Sequence, residues 1–261
     1  MKTLLIYHEG ARLDEEVLLR WLASFSELVG SVVLQETGGR KWKRVRREIL
    51  RSGLVRFADV VAFRVFYRLF LRRKDANWEA GFSRKLAARY PPLDESLPVL
   101  RTETPNSDQA VEFIRQLAPD IMVARCKTIL QPRVFSLARK GTFVMHPGIV
   151  PEYRNSHGCF WALSNREVDK VGMTLLRIDE GVDTGPVYGQ FSYDYDERAE
   201  SHAVIQKRVV FENLDAIEEK LVEIDRGDAE PVDTSGRQSA SWGQPWLTKY
   251  LAWKWHARRA G

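Results

Sequence analysis

The stretch His146-Pro147-Gly148-Ile149-Val150-Pro151-Glu152-Tyr153-Arg154, with its later counterpart Asp179-Glu180-Gly181-Val182-Asp183-Thr184-Gly185, decides how this chain folds. Both pieces are rich in glycine or proline and read as loops, whereas Cys159 to Ser164 between them reads as a helix and Gly172 to Ile178 as an apolar strand. One histidine and one carboxylate are therefore carried on two loops of a rigid scaffold, where binding and catalytic groups concentrate. Such a pair can hold and release a proton near neutral pH. Each loop alone has an ordinary alternative: His-Pro after a strand is often a capped turn, and Asp-Glu-Gly-Val-Asp-Thr-Gly is common turn composition.

Outward from that segment, Gly141 to Met145 reads as the buried strand that delivers His146. Asp120 to Ala124 is a second strand, entered from a helix over Ser107 to Ala118 and left through Arg125-Cys126-Lys127-Thr128-Ile129-Leu130-Gln131-Pro132. Towards the N-terminus, Thr3 to Tyr7, Asp14 to Ser26 and Gly30 to Gln35 form a strand-helix-strand opening. Val187 to Tyr195 reads as another strand or hairpin arm, and Ser201 to Arg226 as one long amphipathic helix ended by Gly227. The fold class expected is α/β, a doubly wound, mostly parallel sheet over residues 1–230. Each functional loop follows the carboxyl end of a strand, the edge at which open α/β sheets bind ligands.

The 261 residues, 44% hydrophobic with 8 Trp, 8 Tyr and 12 Phe, suffice for a sizeable core and exclude a disordered chain. Cys126 and Cys159 lack metal-ligand spacing, so no metal site is expected. Met1 to Tyr7, stopped by His8-Glu9-Gly10, reads as a first strand and not a secretory signal, which points to a cytoplasmic protein. The net charge of +5 is unevenly spread: Arg40 to Lys74 holds thirteen Lys/Arg and two acids, a local +11 that leaves −6 for the rest. This basic helical insertion, at about residues 40–90, is too interrupted by charge to span a membrane. Its Val60, Val61, Phe63, Phe66, Tyr67 and Phe70 leave a polar stripe at Asp59, Arg64 and Arg68. The Arg40 to Lys74 patch has three uses to choose among: nucleic acid, an anionic membrane surface, or a solvated or oligomeric helical face. The interleaved Trp42, Phe57, Phe63, Phe66, Tyr67 and Phe70 suit the membrane, while a plain helical excursion that packs its aromatics and solvates its arginines is the commonest outcome of such a pattern. A Trp-rich C-terminal extension over 231–261, with Trp242, Trp246, Tyr250, Trp253 and Trp255, has the same three uses open to it, or else covers the sheet or a neighbouring subunit of a homo-oligomer.

The His146 to Gly185 segment resembles the signature of the folate-dependent formyltransferase family, which includes methionyl-tRNA, glycinamide ribonucleotide and sugar-amine N-formyltransferases. The resemblance rests on the thirty-seven positions separating His146 from Asp183, on Pro151, Tyr153 and Arg154, and on Asp183-Thr184-Gly185. It extends from Pro119 to Gln190 and implies a Rossmann-like formyltransferase sheet. It further implies that an amine attacks the formyl carbon of 10-formyltetrahydrofolate through a tetrahedral intermediate. His146 would assist proton transfer and stabilise the oxyanion, while Asp183 would hold the imidazolium. Backbone groups of Asp179, Glu180, Gly181 and Val182 would wrap the pterin, and Lys127, Thr128, Ile129 and Leu130 would line its other side.

The family places an asparagine two positions before the histidine, where it donates to the formyl oxygen; this chain has Val144. Losing one oxyanion donor costs ~3 kcal/mol, two to three decades of rate. Three readings follow. Another donor among Lys127, Asn155, Ser156 and His157 substitutes; or the His/Asp pair serves hydrolysis or another one-carbon transfer; or the domain is a non-catalytic, vestigial association module. His157 reads more simply as a structural histidine, and Lys127 as a solvated loop charge. For the acceptor, the turn His8 to Leu13 is followed by Asp14-Glu15-Glu16, and three acids at a helix start disfavour phosphate. A small, non-phosphorylated amine is therefore expected. Nucleic acid is not, because the methionyl-tRNA transferase carries a C-terminal barrel and this chain ends soon after its last long helix.

Overall fold

The computed structural model describes residues 1–35 and 38–259, and for 38–48 and 50–52 the backbone alone. In chain order the elements are β1 (Lys2–His8), α1 (Leu19–Phe25, entered through a π-helical turn at Asp14–Leu18), β2 (Glu27–Leu34), α2 (Gly38–Phe66), α3 (Arg72–Ala87), β3 (Val99–Thr102), α4 (Asp108–Leu117), β4 (Ile121–Arg125) and α5 (Pro132–Phe135). There follow β5 (Gly141–His146), β6 (Arg154–Asn155), α6 (Gly158–Ser164), β7 (Met173–Arg177), β8 (Val187–Phe191), α7 (His202–Phe211), α8 (Leu214–Arg226), β9 (Ser241–Trp242) and α9 (Leu247–Arg259). Seven strands form one sheet in the order β3-β2-β1-β4-β5-β7-β8, parallel as far as β5 and antiparallel at β7 and β8.

Central strands of such a sheet are covered on both faces and so are apolar without alternation. Leu4, Leu5 and Ile6 of β1, and Ile121, Met122 and Val123 of β4, are all fully buried. Alternate side chains feed two cores. Leu5, Val33, Val123, Phe143 and Met145 meet Ile205, Val209, Ile217 and Leu221 of α7 and α8 on one face. On the other, Leu4, Ile6, Met122 and Ala124 meet Val111 and Ile114 of α4 and Val134 of α5. The sheet is doubly wound, as the α/β pattern predicts.

The structure departs from the sequence reading at several elements. The expected single helix over 201–226 is two, because Asn213 leaves helical geometry (φ −109°, ψ 17°) and its Nδ2 donates back to Val209 O at 2.8 Å. The insertion runs as α2, a π-helical turn at Tyr67–Leu71 and α3, and α2 is broken at Gly53, whose φ of 75° and ψ of 166° are not helical. The side chains of Arg40 to Glu48, Trp42 among them, lie outside the described residues. Strand β3 lies where no strand was read. Most consequential for the site, β7 is antiparallel to β5 and pairs Arg177 with Phe143, so its carboxyl end lies at the far end of β5 from His146. The following loop starts beside Thr142, whose carbonyl accepts from Ile178 N at 2.7 Å, and returns to bring Asp183 to His146. The expectation that every functional loop springs from one sheet edge is thus corrected for the Asp183 loop.

Candidate active site

His146 closes β5 and is 5% exposed. Its Nε2 lies 2.8 Å from the carbonyl oxygen of Tyr153, which can only accept, so that nitrogen carries a proton. Its Nδ1 faces Asp183 Oδ2 at 3.5 Å, and the same carboxylate oxygen accepts from Asn155 N at 2.7 Å. Asp183 adopts the left-handed conformation at φ 53°, which aspartate tolerates better than most residues. A second bond joins the two loops, from Arg154 Nη1 to Val182 O at 3.0 Å. Within the later loop, Asp179 accepts from Gly181 N at 2.9 Å and from Thr184 Oγ1 at 2.8 Å, an arrangement typical of Asx turns.

Two glycines are dictated by this packing. A Cβ on Gly148 would lie 2.6 Å from Tyr153 O and 2.7 Å from His146 Nε2, between the histidine and its partner. One on Gly185 would lie 1.9 Å from Arg177 O. The His146 loop is further held by Thr174 of β7, which pairs with His146 across the β5–β7 ladder. Its Oγ1 donates to Gly148 O at 2.7 Å and accepts from Val150 N at 3.1 Å.

Val144 shares the sheet face of His146 and packs among Val150, Leu176 and Val187, with Leu130 and Ile178 in the adjoining cluster. No donor stands at that position. Of the segment Lys127 to Leu130, Leu130 is 5% exposed and belongs to the core, whereas Ile129 is 60% exposed. Lys127 N donates to His8 Nε2 at 3.0 Å, and Ile129 O accepts from Asn106 Nδ2 at 2.9 Å. Val182, on the Asp179 to Val182 loop, is 40% exposed. The two segments therefore flank one apolar cluster, and each presents an uncovered aliphatic side chain.

Among the substitute donors, His157 has its Nδ1 against Gln206 Oε1 at 3.2 Å, and burial pushes its pKa down to about 4. That is a neutral structural histidine. Asn155 Nδ2 donates to Trp242 O at 2.6 Å. The Lys127 charge also acts against protonation of His157. At the first turn, Glu15 Oε1 accepts from Gly10 N at 3.0 Å, Glu16 accepts from Ser83 Oγ at 2.6 Å, and Asp14 pairs with Arg125 at 3.3 Å. Arg125 Nη1 also donates to Met145 O at 2.6 Å, just before His146.

Sequence reasoning missed how far the C-terminal segment enters this site. Strand β9 pairs with β6, and Ala240 O accepts from Arg154 N at 3.1 Å. Trp242 stacks on Tyr153 (centroids 5.5 Å apart) and on Trp161 (4.9 Å), while its Nε1 donates to Glu152 O at 2.8 Å. Arg237 holds both carboxylate oxygens of Glu152, at 2.7 and 3.0 Å. The residue that fixes His146 is thus itself fixed by the tail. The Trp-rich composition was the one available signal, and it did not say where the tryptophans go. Among the described residues no group of His, Cys, Asp and Glu could hold a metal.

The chain is 31% identical over 134 residues to the methionyl-tRNA formyltransferase of Thermotoga neapolitana, covering 51% of this chain and 38% of that one. It is 27% identical over 128 residues to the GDP-perosamine N-formyltransferase of Brucella melitensis, 49% of each. The chain thus spans half or less of the length of these curated relatives. In fold it is similar to a sugar N-formyltransferase from Shewanella sp FDAARGOS_354, with a TM-score of 0.55 at 12% identity over 98% of this chain and 88% of that one. It is equally similar to the phosphoribosylglycinamide formyltransferase of Anaplasma phagocytophilum, with a TM-score of 0.55 at 13% identity, covering 94% and 99%. Residues 73–221, more than half of the chain and including His146 and Asp183, match the formyl transferase family, to which this chain therefore belongs.

Proposed function

We propose that this chain transfers a formyl group from 10-formyltetrahydrofolate to the amine of a small, non-phosphorylated acceptor at the site built on His146 and Asp183. The observation that carries the reading is the clamped histidine. With Nε2 committed to Tyr153 O, the Nδ1 atom is the one that takes the proton from the attacking amine, and Asp183 Oδ2 stabilises the imidazolium that results. The donor would supply the formyl carbon. For its pterin the flanking loops fit, since Ile129 and Val182 present uncovered aliphatic surface beside the backbone groups of residues 179–182. Lys127 takes the place of the missing amide: an ammonium is a stronger partner for a developing oxyanion than a neutral donor. At the first turn Glu15 already occupies the Gly10 N–H that a phosphate would use, with the carboxylates of Asp14 and Glu16 beside it, which favours an acceptor without one.

A second reading has its own observation, the apolar surroundings of Val144, which favour a folate-binding domain without transferase activity. The two part on one experiment. Release of tetrahydrofolate from 10-formyltetrahydrofolate is followed with and without a panel of amines, for the wild type, His146→Ala and Asp183→Asn. Amine-dependent turnover lost in both variants supports transfer, and amine-independent turnover lost in both supports hydrolysis. Equal inactivity of all three, with a folate analogue still raising the melting temperature, leaves the binding domain. No thermal shift in any of them defeats both readings.

A further inference from the structure

Helix α2 is apolar on two opposite sides. Val60 and Phe63 are buried against the body of the protein, where Phe63 meets Phe160 and Tyr250. On the opposite side Leu54, Val61, Val65 and Leu69 are 76%, 40%, 52% and 69% exposed. Leu54, Val61 and Val65, spaced seven and four residues apart, form one stripe of α2 roughly 16 Å long at the α-helical rise, and Leu69 follows on the π-helical turn. Residues 53–74 carry six cations against one acid, Asp59, and that acid is occupied by Thr248 N at 3.1 Å and by the Thr248 hydroxyl. Arg64, Arg68 and Arg72 are exposed at the helical positions flanking the stripe. Helix α9, packed on α2 through Tyr250, leaves Leu251 and Trp255 about half exposed, with Arg259 over the Trp255 ring at 3.7 Å.

We propose that this face docks on an anionic lipid bilayer, with the α2 stripe in the headgroup–acyl boundary and the arginines on the lipid charge. A narrow apolar stripe bordered by cations is the pattern of a helix that lies in the interface plane. No helix among the described residues is long and apolar enough to cross a membrane, so the contact is with one surface. Charge decides between occupants. A second copy meeting this face with its own would oppose Arg64, Arg68 and Arg72 to their counterparts, whereas an acidic lipid surface attracts each of them. RNA would use the arginines and have no use for the aliphatic stripe.

The full chain is floated with phosphatidylcholine vesicles, with and without phosphatidylglycerol, and compared with Val65→Ser/Leu69→Ser and with Arg64→Gln/Arg68→Gln/Arg72→Gln. All five positions are exposed, so melting temperatures should be unchanged. The expected result is binding only to the anionic vesicles, weakened by added salt and by about tenfold or more in each variant. Three results would overturn the proposal. One is absence from the anionic vesicles at every salt concentration. Another is vesicle or RNA binding that the serine variant leaves intact. The third is a concentration-dependent dimer that the serine variant dissolves.

Discussion

In the transfer we propose, His146 Nδ1 is the atom that exchanges a proton with the substrate, because the Tyr153 carbonyl holds the proton on Nε2, and Asp183 faces that exchange. Asp183→Asn replaces the facing charge with an amide, so kcat should fall by roughly 10²–10⁴ with KM little changed, the range for loss of acid–base function. A rise in KM of the same size with kcat unchanged would mean that Asp183 binds substrate instead. Val144→Asn tests the other side of the reacting atoms, since β-strand alternation sets residue 144 on the face of His146. If Lys127 already serves the oxyanion, Val144→Asn should change turnover by less than about threefold, while Lys127→Met should lose about two decades or more. An increase of about two decades in Val144→Asn would instead identify the missing amide as the limit on the wild type. In either case, an amide among Val150, Leu176 and Val187 should cost ~1–3 kcal/mol of stability, read as a lowered melting temperature.

At the scale of elements, the β6–β9 pairing joins the tail to the loop that follows His146. Trp242→Ala would remove stacking on Tyr153 and Trp161 and the bond to Glu152 O, and should cost ~2–3 kcal/mol, less than truncation of a fully buried aromatic because Trp242 is half-buried. Trp242→Phe keeps a ring for the stack and loses only the hydrogen bond, so its loss should be nearer ~1 kcal/mol. If the tail acts through Tyr153, the pH profile of kcat should shift in the alanine variant and stay put in the phenylalanine one. Elements whose signals are local were legible in the sequence. Helix α4 begins where Ser107 accepts from Ala110 N and ends at left-handed Ala118, and β4 and β5 are short apolar runs. His146 and Asp183 stood out because the loop composition around each is also local. By contrast, β3 is a half-exposed edge strand without an apolar run, and the break at Asn213 interrupts no hydrophobic pattern, since Phe211 and Leu214 on either side are both buried. The hold on Glu152 joins residues 85 and 90 positions apart, and no window of sequence contains both ends.

Across the whole molecule, the insertion, α6, α7 and α9 converge on one buried aromatic cluster with two histidines at its centre. His202 is 4% exposed and touches Phe63, Tyr67, Phe160 and Tyr250, with the His157 ring 6.1 Å away. Burial holds His157 at about 4 and His202 well below its ordinary value, so both are neutral in the folded protein around neutral pH. In the unfolded chain each titrates near about 6.5. Between these limits the unfolded state binds more protons, so their contribution to stability is complete above about pH 6.5 and is lost as pH falls towards 4, at up to ~1.4 kcal/mol per unit for each histidine. The melting temperature should therefore decline steadily from about pH 7 to pH 5. His202→Phe removes one titrating group together with its buried, unpartnered Nδ1, in surroundings that already accept aromatic rings. That variant should lose about half of the pH slope and be more stable than the wild type at the acid end. A wild-type melting temperature flat over this range, or a variant with the full slope, would show that these histidines do not couple the insertion and the tail to the sheet through their charge.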